Sequence, residues 1–341
     1  MLLFTEQKKK LGVLLQGLSI LFILPLAFSL LNGNAFAAGA KQKTQKISQK
    51  TFSTPEDAAQ ALVTAAKADD TEQLLSILGP EGKQLLFSGD EVQDRAGLER
   101  FAKAYDEKNQ LVKESEKKAV IEVGNDSWPV PIPIVQASEG KWRFDTKQGK
   151  EEILNRRIGR NELSTIQACL AFLHAEREYA SKDRNGDGVL EYAQKFVSDQ
   201  GQKNGLYWEA KEGEEPSPLG PLFAMAKKEG YSKKSDGEPT PYHGYFFKIL
   251  KSQGKSAPRG AYDYVINGRM VGGFAMVAYP AQYGVSGIMT FIVSHDGVVY
   301  QKNLGKGTAS VAQAMKSFNP DKSWKKLEDK DLKSAGNEDD A

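Results

Sequence analysis

Twice along this chain a helical repeat of apolar residues gives way to strand-like runs bounded by turn residues, and that ordering excludes most architectures. In the first half, Ser53 or Thr54 caps a helix with Pro55 in its first turn and Ala58, Ala61, Leu62 and Ala65 on one face. A second helix, Thr71 to Leu78, stops at Gly79-Pro80, and a third covers about Arg95 to Tyr105. The period then changes. "LVKESEKKAVIEVG", "WPVPIPIVQA" and "KWRFDT" read as strands, divided by Gly124-Asn125-Asp126 and Glu139-Gly140. Pro129, Pro131 and Pro133 lack N–H donors and predict an edge strand or an extended arm. The second half opens on a long helix, "NELSTIQACLAFLHAEREYASKD", capped by Asn161, with a further helix from about Leu190 to Val197. A Gly/Pro-rich stretch from Gly205 to Leu222 predicts no regular structure. A β-meander follows, with Asn267-Gly268 and Asp296-Gly297 as hairpin turns, and a helix from about Thr308 to Phe318 closes it. The expected class is α+β: N-terminal helices plus an antiparallel sheet over residues 53–159, then a long helix with an antiparallel β-meander over 160–320.

Residues 1–37 read as a signal peptide. Lys8, Lys9 and Lys10 precede an apolar run from Leu11 to Leu31, and Ala-Phe-Ala ends at Ala37, predicting cleavage after Ala37 or Ala38. The alternative is an uncleaved inner-membrane anchor, since the run is just long enough to span a bilayer. Either places the remainder in the periplasm or outside the cell, joined through a linker (38–52) and ending in a flexible tail (321–341). Of 46 basic and 44 acidic residues, three lysines and one glutamate fall within 1–37, which accounts for the whole basic excess. A neutral remainder argues against a nucleic-acid partner, which would need a basic face. Cys169 is the single cysteine, so no internal disulfide forms and a hydrophobic core must supply stability. Its place beside the apolar stripe of the long helix predicts a buried thiol and not a nucleophile.

"DRNGDGVLEY", Asp183 to Tyr192, carries the strongest chemical signal. A hard cation needs several oxygens from a sharply turning loop, and Asp183, Asn185 and Asp187 stand at its first, third and fifth positions with Gly188 at the sixth. Val189 offers its carbonyl at the seventh, and Leu190 at the eighth is expected in the core. The twelfth position is Gln194, where a bidentate glutamate would complete the pattern, so Glu191 at the ninth is the substitute. This set predicts weak calcium binding, at a Kd of about 10⁻⁴ to 10⁻³ M. The competing reading is a helix-to-helix turn in which Asp and Asn bond to their own backbone.

Arg156, Arg157 and Arg160 crowd the junction of the halves. Guanidinium forks there suit an anionic ligand, or an interdomain salt-bridge cluster. His243, within "PYHGYFF" beside Tyr242 and Tyr245, joins them as a candidate pocket residue, whereas His174 and His295 read as structural. Ser286 in "YGVSGI" lacks the spacing of a nucleophile elbow and predicts a turn. Tyr207, Trp208, Tyr242, Tyr245, Phe246 and Phe247 predict hairpin core more than a ligand platform.

"GNDSWPVPIPIV", "KEEILNRRIGRNEL", "DRNGDGVLEYAQ", "PYHGYFFKIL", "YDYVINGRMVGGFA" and "YGVSGIMTFIVSHDGVVYQKNLG" together give a resemblance to a mostly secreted bacterial family, domain of unknown function 2950, from Thr54 to about Lys325. It implies no activity. The order of elements in residues 160–305 also resembles the globular regions of type IV pilin-like proteins, and the first half a cone of the NTF2-like or cystatin-like kind. The expectation is a non-catalytic binding or envelope-assembly module whose partner is an envelope protein or small ligand, with calcium as its cofactor. The alternative is a periplasmic hydrolase, or an anionic small-ligand-binding protein, using the arginine cluster. Membrane contact is expected only through residues 1–37 if uncleaved.

Overall fold

Thr54 opens the first helix as its residue type predicts. Its hydroxyl accepts the Asp57 N–H at 3.0 Å, with Pro55 in the first turn of α1 (Pro55–Lys67). The protein, described by a computed structural model over residues 48–232, 239–328 and 332, continues through α2 (Thr71–Leu78), α3 (Lys83–Leu86) and α4 (Glu91–Glu107). The strands β1 (Asn109–Ser115), β2 (Lys118–Val123), β3 (Trp128–Pro129), β4 (Ile134–Gln136) and β5 (Trp142–Phe144) follow. They form an antiparallel sheet in the order β1-β2-β4-β5, with β3 beside the end of β2. The expected signal segment, residues 1–37, and most of the expected linker lie outside the described residues. The linker's last residues are folded in: the Lys50 N–H reaches Ser76 O, and Phe52 exchanges backbone bonds with Trp142.

"LVKESEKKAVIEVG" is a hairpin and not a single strand. Its turn at Glu116-Lys117 carries no glycine or asparagine, which removes the usual signal. The proline-rich stretch divides: Pro129 lies on β3, an edge strand paired only with β2, as expected, and the chain then enters the sheet interior as β4. β4 lies inside the sheet between β2 and β5, while Pro129 and Pro131 fall where no β5 residue pairs, so their missing donors cost nothing.

The largest departure is α5, one helix from Thr146 to Tyr179 that runs through the expected domain junction. Asn161 does not cap it. Buried within the helix, its side-chain amide donates to Ser286 O at 2.8 Å. A polar residue at a buried helical position reads as a cap unless its partner, 125 residues away, is known. Two apolar clusters meet along α5. One gathers Phe52, Leu62, Ile77, Ile121, Phe144, Ile158 and their neighbours, and the other Phe172, Leu206, Tyr245, Phe274, Phe291, Phe318 and theirs. The described residues nonetheless fall in one compact unit.

Beyond α5 come α6 (Gly220–Lys228), which uses the end of the stretch expected to be irregular, and β6 (Tyr245–Leu250) to β15. These comprise β7 (Ser252–Gln253), β8 (Tyr262–Asp263), β9 (Val265–Ile266), β10 (Arg269–Met270), β11 (Ala275–Pro280), β12 (Met289–Ser294), β13 (Val299–Asn303), then α7 (Thr308–Ala314), β14 (Ser317–Phe318) and β15 (Lys325–Lys326). The main sheet is antiparallel in the order β15-β13-β12-β11-β6. Every residue of β11 is buried, so both faces are covered, and α5 and α7 both pack on it. Both dipeptide signals hold, with Asn267-Gly268 joining β9 to β10 and Asp296-Gly297 lying between β12 and β13.

No helix forms over Leu190–Val197. The Tyr192 N–H donates to Met270 O, and Lys195 O and Phe196 O accept from Leu206 and Tyr207, so these backbone groups are committed outside any helix. Leu190 is 56% exposed instead of in the core. α7 stops early because Lys248 Nζ takes the carbonyls of Ala312, Gln313 and Met315, freeing the chain for β14. Part of the expected tail is ordered as well, since β15 pairs with β13 and Leu327 is buried. The α+β class stands. Among the described residues no helix is long and apolar enough to cross a membrane.

Candidate functional site

The Asp183 loop is anchored by the residue between its first two oxygen donors. The Arg184 side chain is only 6% exposed. Its guanidinium lies over the rings of Tyr179 at 4.9 Å and Trp208 at 5.1 Å, its Nε donates to Tyr179 O at 3.1 Å, and Glu215 faces it at 3.3 Å. A cation stacked between two aromatic faces and bonded to the last turn of α5 fixes where the loop departs.

Within the loop, backbone N–H groups order the side-chain oxygens. Asp183 accepts from Gly188 at 2.7 Å, Gly186 at 2.8 Å and Asn185 at 3.2 Å. These bonds, that from Gly188 foremost, hold its carboxyl below the ordinary range. Asn185 Oδ1 accepts the Asp187 N–H at 3.1 Å, and Asp187 Oδ1 the Val189 N–H at 3.0 Å. Gly186 (φ +76°) and Gly188 (φ +83°) are required for their dihedrals, because nothing lies near where a Cβ would stand. Glu191 folds back so that Oε1 accepts from Asn185 Nδ2 at 3.1 Å. Arg269, from β10, forks onto both oxygens of Asp187 at 3.2 and 2.7 Å. Asp183, Asn185, Asp187, Val189 and Glu191 thus share one small loop, with an internal cation already on Asp187. Among the described residues, no group of three or more His, Cys, Asp or Glu is placed to hold a metal ion. A cation here would draw on Asn185 and a carbonyl besides its carboxylates.

Glu176, one helical turn before Tyr179, supports the loop from inside. It is fully buried, Oε2 accepts the Ala193 N–H at 2.9 Å, and Oε1 has no partner. Burial drives its pKa well above the ordinary 4.5, against the pull of the Ala193 N–H. With the folded-state value raised, its stabilising contribution is complete below the unfolded-state pKa and is lost as pH climbs toward the folded one. Glu176→Gln cannot ionise. Its thermal stability relative to the parent is expected to improve between about pH 5 and about pH 8, and equal differences at both pH values would contradict this.

Arg156, Arg157 and His243 each reach a different partner. Arg156 binds Glu152 at 2.7 Å and stacks on Trp128. Arg157 turns inward to the carbonyls of Gln84 and Leu85 at the end of α3. Burial lowers its pKa while Asp94 opposes the shift. Arg160 is exposed on α5, and its charge bears on Arg157. His243, at φ +47°, places Nε2 2.8 Å from Glu229, within a cluster formed by Tyr231 and Tyr242.

Ser286 Oγ is spent on Gln282 in a turn, and Tyr245 Oη donates to Met289 O at 2.9 Å. Cys169 is buried, with its thiol pushed up to about 12. His295 Nε2 lies 2.9 Å from Arg259 Nη2. Since a guanidinium only donates, this nitrogen is the acceptor and the buried, unpartnered Nδ1 carries the proton.

The sequence reading missed Asp90. Buried to 1% exposure, it caps α4 by accepting the Gln93 N–H at 3.2 Å and takes the Tyr231 hydroxyl and the Gly244 N–H, each at 2.8 Å. Asp90 with Gln93 three positions on was a legible capping signal, but the partners beyond residue 230 were not.

These elements and this loop define an α+β chain carrying a glycine-turned acidic loop. A family model described as "Protein of unknown function (DUF2950)" matches residues 49–327, and the chain belongs to that family. No curated protein and no solved structure matches it, so the pilin-like resemblance of residues 160–305 gains no support there.

Proposed function

We propose that the chain works outside the cytoplasm as a non-catalytic binding or envelope-assembly module, and that its Asp183–Glu191 loop takes a calcium ion weakly. The export reading rests on the lysine cluster, apolar run and Ala-Phe-Ala of residues 1–37, and is checked by sequencing the N-terminus of the exported protein.

One observation carries the ion: the alternate oxygens of Asp183, Asn185 and Asp187 are each oriented by backbone N–H donors around a two-glycine turn. Side chains ordered in advance lose little further entropy on coordination. The Val189 carbonyl and Glu191 complete the proposed set. Binding costs the Arg269–Asp187 fork and the Asn185–Glu191 bond, which keeps the Kd at about 10⁻⁴ to 10⁻³ M. Arg269 is therefore a competitor for the ion.

In thermal melts, about 5–10 mM calcium is expected to raise the Tm of the parent, and Asp187→Ala to abolish the rise. Arg269→Ala is expected to bind calcium about tenfold more tightly, because a competing charge is gone. No rise in the parent, together with none in Arg269→Ala, would leave a turn closed by its own guanidinium.

A further inference from the structure

The sheet of β1 to β5 has two long edges, and the chain closes only one of them. Along β5, Phe52 exchanges backbone bonds with Trp142. Along β1 no further strand pairs, since β2 is its single partner among the described residues. Lys108 O accepts the Gly124 N–H at 2.9 Å, and this sets the alternation along the strand. Lys108, Gln110 and Val112 bond toward β2, while Asn109, Leu111 and Lys113 aim their N–H and C=O groups the other way. Among the described residues none of these outward groups has a bonding partner. Asn109 and Lys113 are exposed and Leu111 is half-buried, so the edge meets solvent. A bulge between Lys113 and Ser115 ends the straight run.

This run is complementary to itself. In an antiparallel pairing about a two-fold axis at Leu111, Leu111 faces its own counterpart and Asn109 faces Lys113, so every outward N–H meets an outward C=O. Gln110 falls opposite Val112, and no like charges oppose each other. Beyond these, Lys108 and Glu114 stand three positions to either side of Leu111 and so fall opposite one another at both ends. Within its own chain Lys108 Nζ donates to Ser127 Oγ at 3.0 Å, and Glu114 meets Lys118 at 2.8 Å. Each keeps a donor or acceptor for a second partner. Leu111 packs on the apolar cluster of Ile121 and lines a groove of about 320 Å³ that also includes Ala59 and Tyr105. That groove gives a second Leu111 an apolar neighbourhood on the same face of the sheet.

We propose that β1 is a self-association surface, across which two copies of this chain join their sheets antiparallel about Leu111. A foreign strand would satisfy the same backbone groups, but a second copy also brings Glu114 to Lys108 and Lys108 to Glu114 by symmetry. The two-fold axis uses both open edges at once, so association stops at a dimer and leaves no template for further chains. The bulge after Lys113 keeps the pairing short, which makes the dimer weak and reversible. The surface is separate from the Asp183 loop, and the calcium result has no bearing on it.

The test is sedimentation equilibrium of the whole chain from about 1 to about 200 μM, where a dimer with a Kd of about 1–100 μM is expected. Lys108→Glu sets glutamates opposite each other at both ends of the pairing, and Glu114→Lys sets lysines there. Each variant alone is expected to weaken the dimer about tenfold or more. Mixed in equal amounts, the two restore opposite charges at both ends, and the mixed dimer is expected within about threefold of the parent's Kd. Lys113→Pro removes an N–H that β2 does not use and is expected to weaken association more than about tenfold, with the monomer fold kept. Should that variant misfold, the charge variants decide, since both side chains are exposed. The proposal is overturned if the parent stays monomeric at about 200 μM, if the single charge variants associate as the parent does, or if their mixture associates no more tightly than either alone.

Discussion

Asp90→Ala is expected to cost about 3–5 kcal/mol, among the largest losses a single side chain outside the apolar clusters can cause. The carboxylate takes the Gln93 N–H at the start of α4 and, from the other half of the chain, the Tyr231 hydroxyl and the Gly244 N–H. Loss of the cap accounts for about 1 kcal/mol. The rest comes from donors left without an acceptor where water does not reach, each costing about 1–3 kcal/mol. Tyr231 cannot turn outward cheaply, because its hydroxyl also accepts the His243 N–H at 3.0 Å and its ring packs on Tyr242.

Asp90→Ser separates the two contributions. A serine hydroxyl can cap α4 but cannot also reach Tyr231 and Gly244, so the variant should recover only the cap's share. Thermal unfolding is the measurement, with a Tm change of about 2–4 °C per kcal/mol for a chain of this size. Equal stability of the serine variant and the parent would show that the long-range bonds contribute nothing.

That joint explains where sequence reading succeeded and where it failed. The start of α1 and both ends of α2 were legible to within a residue because local chemistry sets them: Thr54 with Pro55, then Gly79 with Pro80. The Asn267-Gly268 and Asp296-Gly297 hairpins were legible for the same reason. Failures came where a partner distant in sequence decided the outcome. Asn161 looked like a cap because its true acceptor, Ser286 O, is on a turn between strands. Leu190 to Val197 looked helical because the claims of Met270, Leu206 and Tyr207 on its backbone leave no periodic trace. Lys248 shortens α7 from more than sixty residues away.

The candidate loop shows the same division. The placing of Asp183, Asn185, Asp187 and the two glycines could be read from spacing alone, since each oxygen serves a backbone N–H within five residues. Arg269 could not, being 82 residues from Asp187. Arg184 reads as solvated because it is a charged residue within a polar loop, whereas its burial depends on Tyr179 and Trp208. Trp128 falls within a strand motif, but it is 56% exposed and follows the positive-φ turn at Ser127.

Gly149→Ala is the second large effect expected, and it tests the long helix itself. A Cβ at this position would stand 2.3 Å from Pro131 O, 2.5 Å from Pro131 C and 2.7 Å from Ile132 N. All three are backbone atoms, so no side-chain rotation relieves the contact. In an exposed helix the same change would gain about 1 kcal/mol from propensity, which reverses the usual sign of a glycine-to-alanine substitution. Here α5 must move away from the Pro131–Ile132 segment, or that segment from the sheet. The shift would be borne by Leu154 and Ile158, which face the same apolar cluster as Ile132 and Ile134. Overpacking against rigid backbone costs about 1–3 kcal/mol or more, and the lost propensity gain adds to the discrepancy with expectation from sequence. Gly159→Ala on the same helix is the control, since nothing lies within 4 Å of its added Cβ. It is expected to raise the Tm slightly while Gly149→Ala lowers it by several degrees. If both variants moved the Tm upward, the close crossing of α5 over Pro131 would not exist in solution.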